Sequence, residues 1–104
     1  MSKKSEEIPE TVNNDDGSIT IQLSKPIINF GEKISEITLR EPTGKEFQKI
    51  GMVMSVDTQE KIHFDAVKVV KMAETLGGLA SGSLDALPYK QLTKIAYAMI
   101  PFFV

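Results

Sequence analysis

The chain has 104 residues, 41% hydrophobic and 25% charged, enough for one small folded domain and too apolar for a wholly disordered chain. Twelve basic residues against 14 acidic leave a net charge of -2, so no basic field is present to gather nucleic acid. The absence of cysteine excludes disulfides and thiolate metal sites, and no apolar run reaches the roughly 20 residues of a membrane helix, which together point to a soluble intracellular protein.

Residues 1–17, MSKKSEEIPETVNNDDG, carry Glu6, Glu7, Glu10, Asp15 and Asp16 with little apolar surface to offset the entropy of ordering. They are expected to form a disordered acidic leader, with residues 18–104 as a single α+β domain. In SITIQLSKPI, Ile19, Ile21 and Leu23 alternate with Thr20 and Gln22, the period of a half-buried strand. Pro26 lacks an amide donor and should end that strand or confine it to a sheet edge. INFGEK reads as a turn with Asn29 and Gly31 suited to positive φ, and KISEITLRE as the returning strand with Ser35, Ile37 and Leu39 on one face. An N-terminal β-hairpin follows, and its apolar face needs cover from the three helices expected downstream.

The first helix opens at EPTGKEF, where Thr43 and Glu46 stand in the spacing of a capping box. It is expected to reach Met52–Met54 with Phe47 and Ile50 toward the hairpin. A second helix is expected from Asp57 or Thr58 to Leu76, stopped by Gly77-Gly78, with Ile62, Ala66, Val69, Ala73 and Leu76 on one face at about 100° per residue. That phasing puts Phe64 nearly opposite, on the wet side with Lys68, Lys71 and Thr75. Replacing Phe64 by serine should then leave stability nearly unchanged. GGLASGS reads as a flexible loop, and Pro88 suits the first turn of a third helix carrying Tyr89, Leu92, Ala96, Met99 and Ile100 on its core face, opposite Lys90, Gln91 and Lys94.

The chemistry-bearing residues are few. Gly44-Lys45 lacks the upstream glycine and the following hydroxyl of a phosphate loop, and the capping box accounts for its neighbours. His63 is the single histidine, and on a helix Asp65 would point elsewhere, so no catalytic pair or metal cluster can be assembled. No cofactor is implied, and the expectation is a protein that is not an enzyme. The candidates for a partner surface are Phe64, Tyr97 on the lysine side of the third helix, and Phe102 and Phe103 after Pro101. For the last two the alternative is folding back onto the core.

In order along the chain, IQLSKPI, FGEKI, ITLREPTGKEF, a long amphipathic segment and the ending LDALPYKQLTKIAYAMIPFF resemble the tail assembly chaperones of contractile-tailed bacteriophages. The resemblance spans about residues 19–103 and rests most on Thr38 to Gly44 and on Leu87 to Phe103. Tyr89-Lys90 departs from it, since an acidic residue often opens the last helix there. It implies a non-enzymatic protein of the host cytoplasm that coats the tape measure protein before the tail tube polymerises and is absent from the finished virion. The tail tube protein and a frameshifted longer form of the chain are further partners it allows, and an oligomer is compatible with it. A structural tail or baseplate component, or a small adaptor, is the alternative reading.

Overall fold

The computed structural model describes residues 11–104. Its elements in chain order are β1 Thr11–Asn13, β2 Ile19–Asn29, β3 Glu32–Leu39, α1 Gly44–Ile50, β4 Met54–Val56, β5 Ile62–Phe64, α2 Ala66–Leu76 and α3 Tyr89–Ala98, with a 3₁₀ turn at Ile100–Phe102. The class is α+β: a three-stranded antiparallel sheet β1-β2-β3, a two-stranded sheet β4-β5, and three α-helices. Among the described residues no helix is long and apolar enough to cross a membrane.

The expected leader, residues 1–17, falls partly outside the described residues. Of the rest, Thr11–Asn13 pair with β2, Val12 opposite Thr20, and so form an edge strand. The turn back is closed by polar side chains: Asn14 Nδ2 donates to Ser18 Oγ and Thr20 Oγ1, and Asp16 accepts from the Ser18 amide at 3.0 Å and from its hydroxyl. These are local side-chain bonds that composition does not reveal.

β2 does not end at Pro26. Between Gln22 and Ile27 its pairing with β3 shifts, Gln22 facing Glu36 and Ile27 facing Ile34, so the four residues Leu23–Pro26 lie in an irregularity where a ladder donor is not required. The Ser24 amide exposed by that irregularity donates 2.7 Å to Gln91 Oε1 on α3. Gln91 is therefore buried, at 4% exposure, while Tyr89 stands 85% exposed. The expected core face of the third helix holds at Ala96 and Met99, which are buried, and at Leu92 and Ile100, which are half-buried, but it is rotated so that Gln91 and Ile95 also face inward and Tyr89 does not; the buried Gln91 satisfies the irregular strand.

Ile19, Ile21, Leu23, Ile27, Ile37 and Leu39 from the sheet join Val69, Met72, Ala73 and Leu76 of α2 and Ile95, Ala96 and Met99 in one buried cluster. α1 lies beside α2 and has no fully buried residue. It stops at Ile50; Gly51 (φ 95) turns the chain away, and Val53 and Met54 are buried beyond it.

The long second helix is the largest departure. Residues 54–64 are a β-hairpin, Met54 opposite Phe64 and Val56 opposite Ile62, and α2 starts only at Ala66. Asp57 favours the turn: its Oδ1 accepts the amides of Gln59 at 2.8 Å and Lys61 at 2.9 Å, leaving those donors unavailable to a helix. Asp65 then caps α2, accepting from the Lys68 amide at 3.1 Å. At its far end Gly78 (φ 63) reverses the chain and the Leu79 amide returns to Glu74 O at 2.8 Å. The loop 77–83 is also held from below, since the buried Glu74 carboxylate accepts from the Gly82 amide at 2.9 Å, and the Asn29 side chain accepts from the Ala80 amide.

Candidate partner-binding surface

Thr43 and Glu46 form the expected joint between sheet and α1. The Thr43 amide and hydroxyl donate to Glu46 Oε1 at 2.8 and 2.9 Å, and the Arg40 guanidinium forks onto both carboxylate oxygens at 3.0 and 3.1 Å. The Arg40 bonds first, and the Thr43 donors next, lower the Glu46 pKa to about 2. A carboxylate held so firmly ionised fixes the entry angle of α1 and is unsuited to proton transfer at neutral pH.

Phe64 is half-buried at the end of β5, not on the wet face of a helix. In a strand its neighbour His63 takes the solvent side and Phe64 turns inward, where it packs against the core. It meets Tyr97 edge to face, ring centroids 5.1 Å apart at 74°. Tyr97 is 54% exposed, so one ring supports and the other is presented. Beside Tyr97 an open groove of about 410 Å³ runs between β1 and α3, lined by Thr11, Asn13, Thr93, Ala98 and Pro101. Phe102 and Phe103 also meet edge to face, 6.3 Å apart, and both are partly buried against the core. The four aromatics named from the sequence thus form two pairs, with Tyr97 the most exposed of them.

His63 Nε2 lies 2.8 Å from Asp57 Oδ2 across the β4-β5 turn, and this contact, with the backbone amides of Lys61 and Gln59, lowers the Asp57 pKa. Both groups are exposed and already spent on closing the turn.

Two features escape a reading of periodicity. Phe30 sits at the tip of the β2-β3 hairpin with φ 52, followed by Gly31 at φ 81, and is 79% exposed. A bulky residue in the left-handed region costs about 1 to 2 kcal/mol relative to right-handed backbone. The sequence clue is an aromatic standing where Asn-Gly would serve the turn. The second is a groove of about 710 Å³ between α1 and α2, lined in part by Lys45, Lys49, Lys68 and Lys71. Those lysines come from two segments that only the fold brings together.

Comparison with curated proteins and with solved structures gave no match. A family profile described as "Phage tail assembly chaperone proteins, E, or 41 or 14" matches residues 20–104. That span takes in β2 from its second residue through the terminal aromatics, and so every element that builds the core and both grooved surfaces except β1. The chain belongs to the phage tail assembly chaperone family, with a chaperone role in tail assembly.

Proposed function

We propose that this protein binds the tape measure protein of its phage, keeps it soluble while the tail is built, and leaves before the virion is complete. The observation that carries the reading is the family match over residues 20–104. The surface supports it. Tyr97 presents an aromatic face on a rigid helix, buttressed by Phe64, next to a shallow open groove. An exposed aromatic with a fixed backing supplies apolar contact with little ordering cost, and a small patch releases its client readily. The Arg40–Glu46 and Asp57–His63 pairs are occupied in structural roles, so the action is binding without catalysis. It takes place in the host cytoplasm, where the tail proteins are made.

Co-expression with the tape measure protein is expected to raise the soluble yield of the latter, and Tyr97→Ser to reduce that gain. An unchanged yield with the wild-type chain would sink the reading. Mass spectrometry of purified virions is expected to find none of this protein; its presence at structural stoichiometry would favour a tail or baseplate component instead.

A further inference from the structure

We propose that the groove between α1 and α2 docks an amphipathic helix whose apolar stripe is bordered by carboxylates. This inference deepens the reading above, since it concerns how a helical client is held, and rests on it.

The groove's floor is apolar. Ile50 and Leu79 are partly buried and continuous with the core, and Val67, 67% exposed, stands free at the first turn of α2. Its rim is cationic. Lys45 and Lys49 rise from α1 four residues apart, and Lys68 and Lys71 from α2 three apart, so each helix sets two ammonium groups on one face. The carboxylates in the same walls are engaged elsewhere: Glu46 is forked by Arg40, and the buried Glu74 carboxylate accepts from the amides of Gly82 and Leu84. Among the described residues Lys68 has only a long 4.0 Å contact with Asp65, and Lys45, Lys49 and Lys71 have no ion pair.

A chain whose net charge is -2 has therefore collected four cations on one groove. With a screening length of about 8 Å at physiological salt, the local patch, and not the net charge, sets what approaches. Lysines left like this repel one another until an anionic partner arrives. The occupant must also use the floor. A phosphate backbone would leave Ile50, Val67 and Leu79 uncovered, and the floor offers no aromatic on which a base could stack. An apolar stripe covers it, and carboxylates on both borders of that stripe meet the lysines of α1 on one side and of α2 on the other. The wall of α2 from Val67 to Thr75 is about 12 Å long, which matches two to three turns of a docked helix.

The test uses the full chain and two synthetic peptides of about 18 residues, roughly five helical turns, that share one leucine stripe. One peptide has glutamates on both borders and the other has lysines. Titrated at low salt and followed by amide NMR, the glutamate peptide is expected to shift Ile50, Val67 and Leu79 and to bind at least roughly tenfold more tightly than the lysine peptide. In the double variant Lys49→Glu, Lys71→Glu, which leaves two cations against two carboxylates on the rim, that preference is expected to be lost. These side chains are exposed, and an unchanged far-ultraviolet spectrum checks the fold. Equal affinities for the wild-type chain, shifts confined to the surroundings of Tyr97, or an oligonucleotide that moves these amides where the glutamate peptide does not, would each overturn the proposal. Co-expression separates it from the reading it rests on. If the wild-type chain does not solubilise the tape measure protein, that reading fails. If the wild type and the double variant solubilise it equally, only the groove fails.

Discussion

The β2-β3 hairpin turns through two residues, Phe30 and Gly31, both at positive φ, and its tip is an exposed aromatic held in a conformation that aromatics avoid. The β4-β5 hairpin turns through the polar stretch Asp57 to Lys61, and there one carboxylate takes two backbone amides on Oδ1 and His63 on Oδ2. The first turn stores strain and offers apolar surface; the second satisfies its own donors and offers nothing more. Their bases differ as well. β2 and β3 bury Ile19, Ile21, Ile37 and Leu39 deep in the core, whereas at the base of the second hairpin Met54 is buried and its partner Phe64 only half-buried, and Val56 and Ile62 beyond them stay exposed. The first hairpin is a wall of the core with an exposed aromatic tip, and the second is a bracket that places Phe64 under Tyr97. Strain tolerated where a turn could have been relaxed is a pointer to binding, while a saturated turn points to architecture.

The contrast is sharpest in the core. Ile21→Ala removes a side chain 1% exposed, and a loss of about 3 kcal/mol is expected in denaturant unfolding. Val56→Ala, at 56% exposure on the second hairpin, is expected to cost less than about 0.5 kcal/mol. Similar losses at both sites would mean that the second hairpin is part of the core and not a bracket.

Next comes the residue the bracket places. Phe64→Ser is expected to cost about 2 kcal/mol, because the ring is half-buried against the core and against Tyr97. This replaces the sequence expectation of near neutrality. A double-mutant cycle of Phe64→Ala with Tyr97→Ala is expected to show a coupling of about 1 kcal/mol from the edge-to-face contact. A coupling near zero would leave Tyr97 without a buttress.

The two hairpins also mark what a single sequence makes legible. β2 and β3 announce themselves because Ile19, Ile21 and Leu23, and then Ile37 and Leu39, alternate over runs long enough to exclude a helix. In β4 and β5 the alternation Met54-Ser55-Val56 and Ile62-His63-Phe64 lasts only three residues each, and the apolar spacing from Ile62 onward continues into α2 with a helical period. The helical pattern therefore absorbs the strand, and Phe64 with it. Gln91 misleads for a different reason: its burial answers an irregularity 67 residues away, with five elements between, which no local period encodes. The cap at Thr43 and Glu46 is legible because it is wholly local, although its second partner, Arg40, is not part of the motif. Tyr97 is found as an exposed aromatic, but its backing by Phe64 is a tertiary fact. The lysine groove is invisible in a chain of nearly balanced charge, because its halves lie on helices separated by the second hairpin.

A smaller effect, of opposite sign, is expected at the first tip. Phe30→Asn relieves an aromatic at φ 52 with a residue that accepts the left-handed region, and its ring makes little contact to lose at 79% exposure. A gain of about 0.5 to 1 kcal/mol is expected in thermal unfolding. If the same variant solubilises the tape measure protein less well, the strain serves binding. If stability rises and the chaperone effect is untouched, the tip is merely tolerated and the contrast between the turns loses its functional half.

The smallest expected effect is a local one at the second tip, and its sign follows from Asp57. Hydrogen bonding from His63, and then from the backbone amides, lowers the Asp57 pKa in the folded protein below its ordinary value of 3.8. A depressed carboxylate contributes stability that is fully present above the unfolded pKa and is lost as pH falls through the folded one. The β4-β5 turn should thus hold unchanged from neutral pH to about 5 and loosen only below pH 4. Hydrogen exchange, corrected for its intrinsic pH dependence, reads this at the amides of Gln59 and Lys61, which donate to Asp57. Protection there should fall in acid while that of Ile21 in the core persists. Asp57→Asn keeps an acceptor and drops the charge, so its protection at neutral pH should be lower than that of the wild type and should no longer titrate. The β2-β3 tip, where the flanking Glu32 carboxylate accepts no turn amide among the described residues, should show no such transition at Gly31. Loss of protection at both tips with one midpoint would indicate global acid unfolding, and the two hairpins would then not be the independent units their turn chemistry implies.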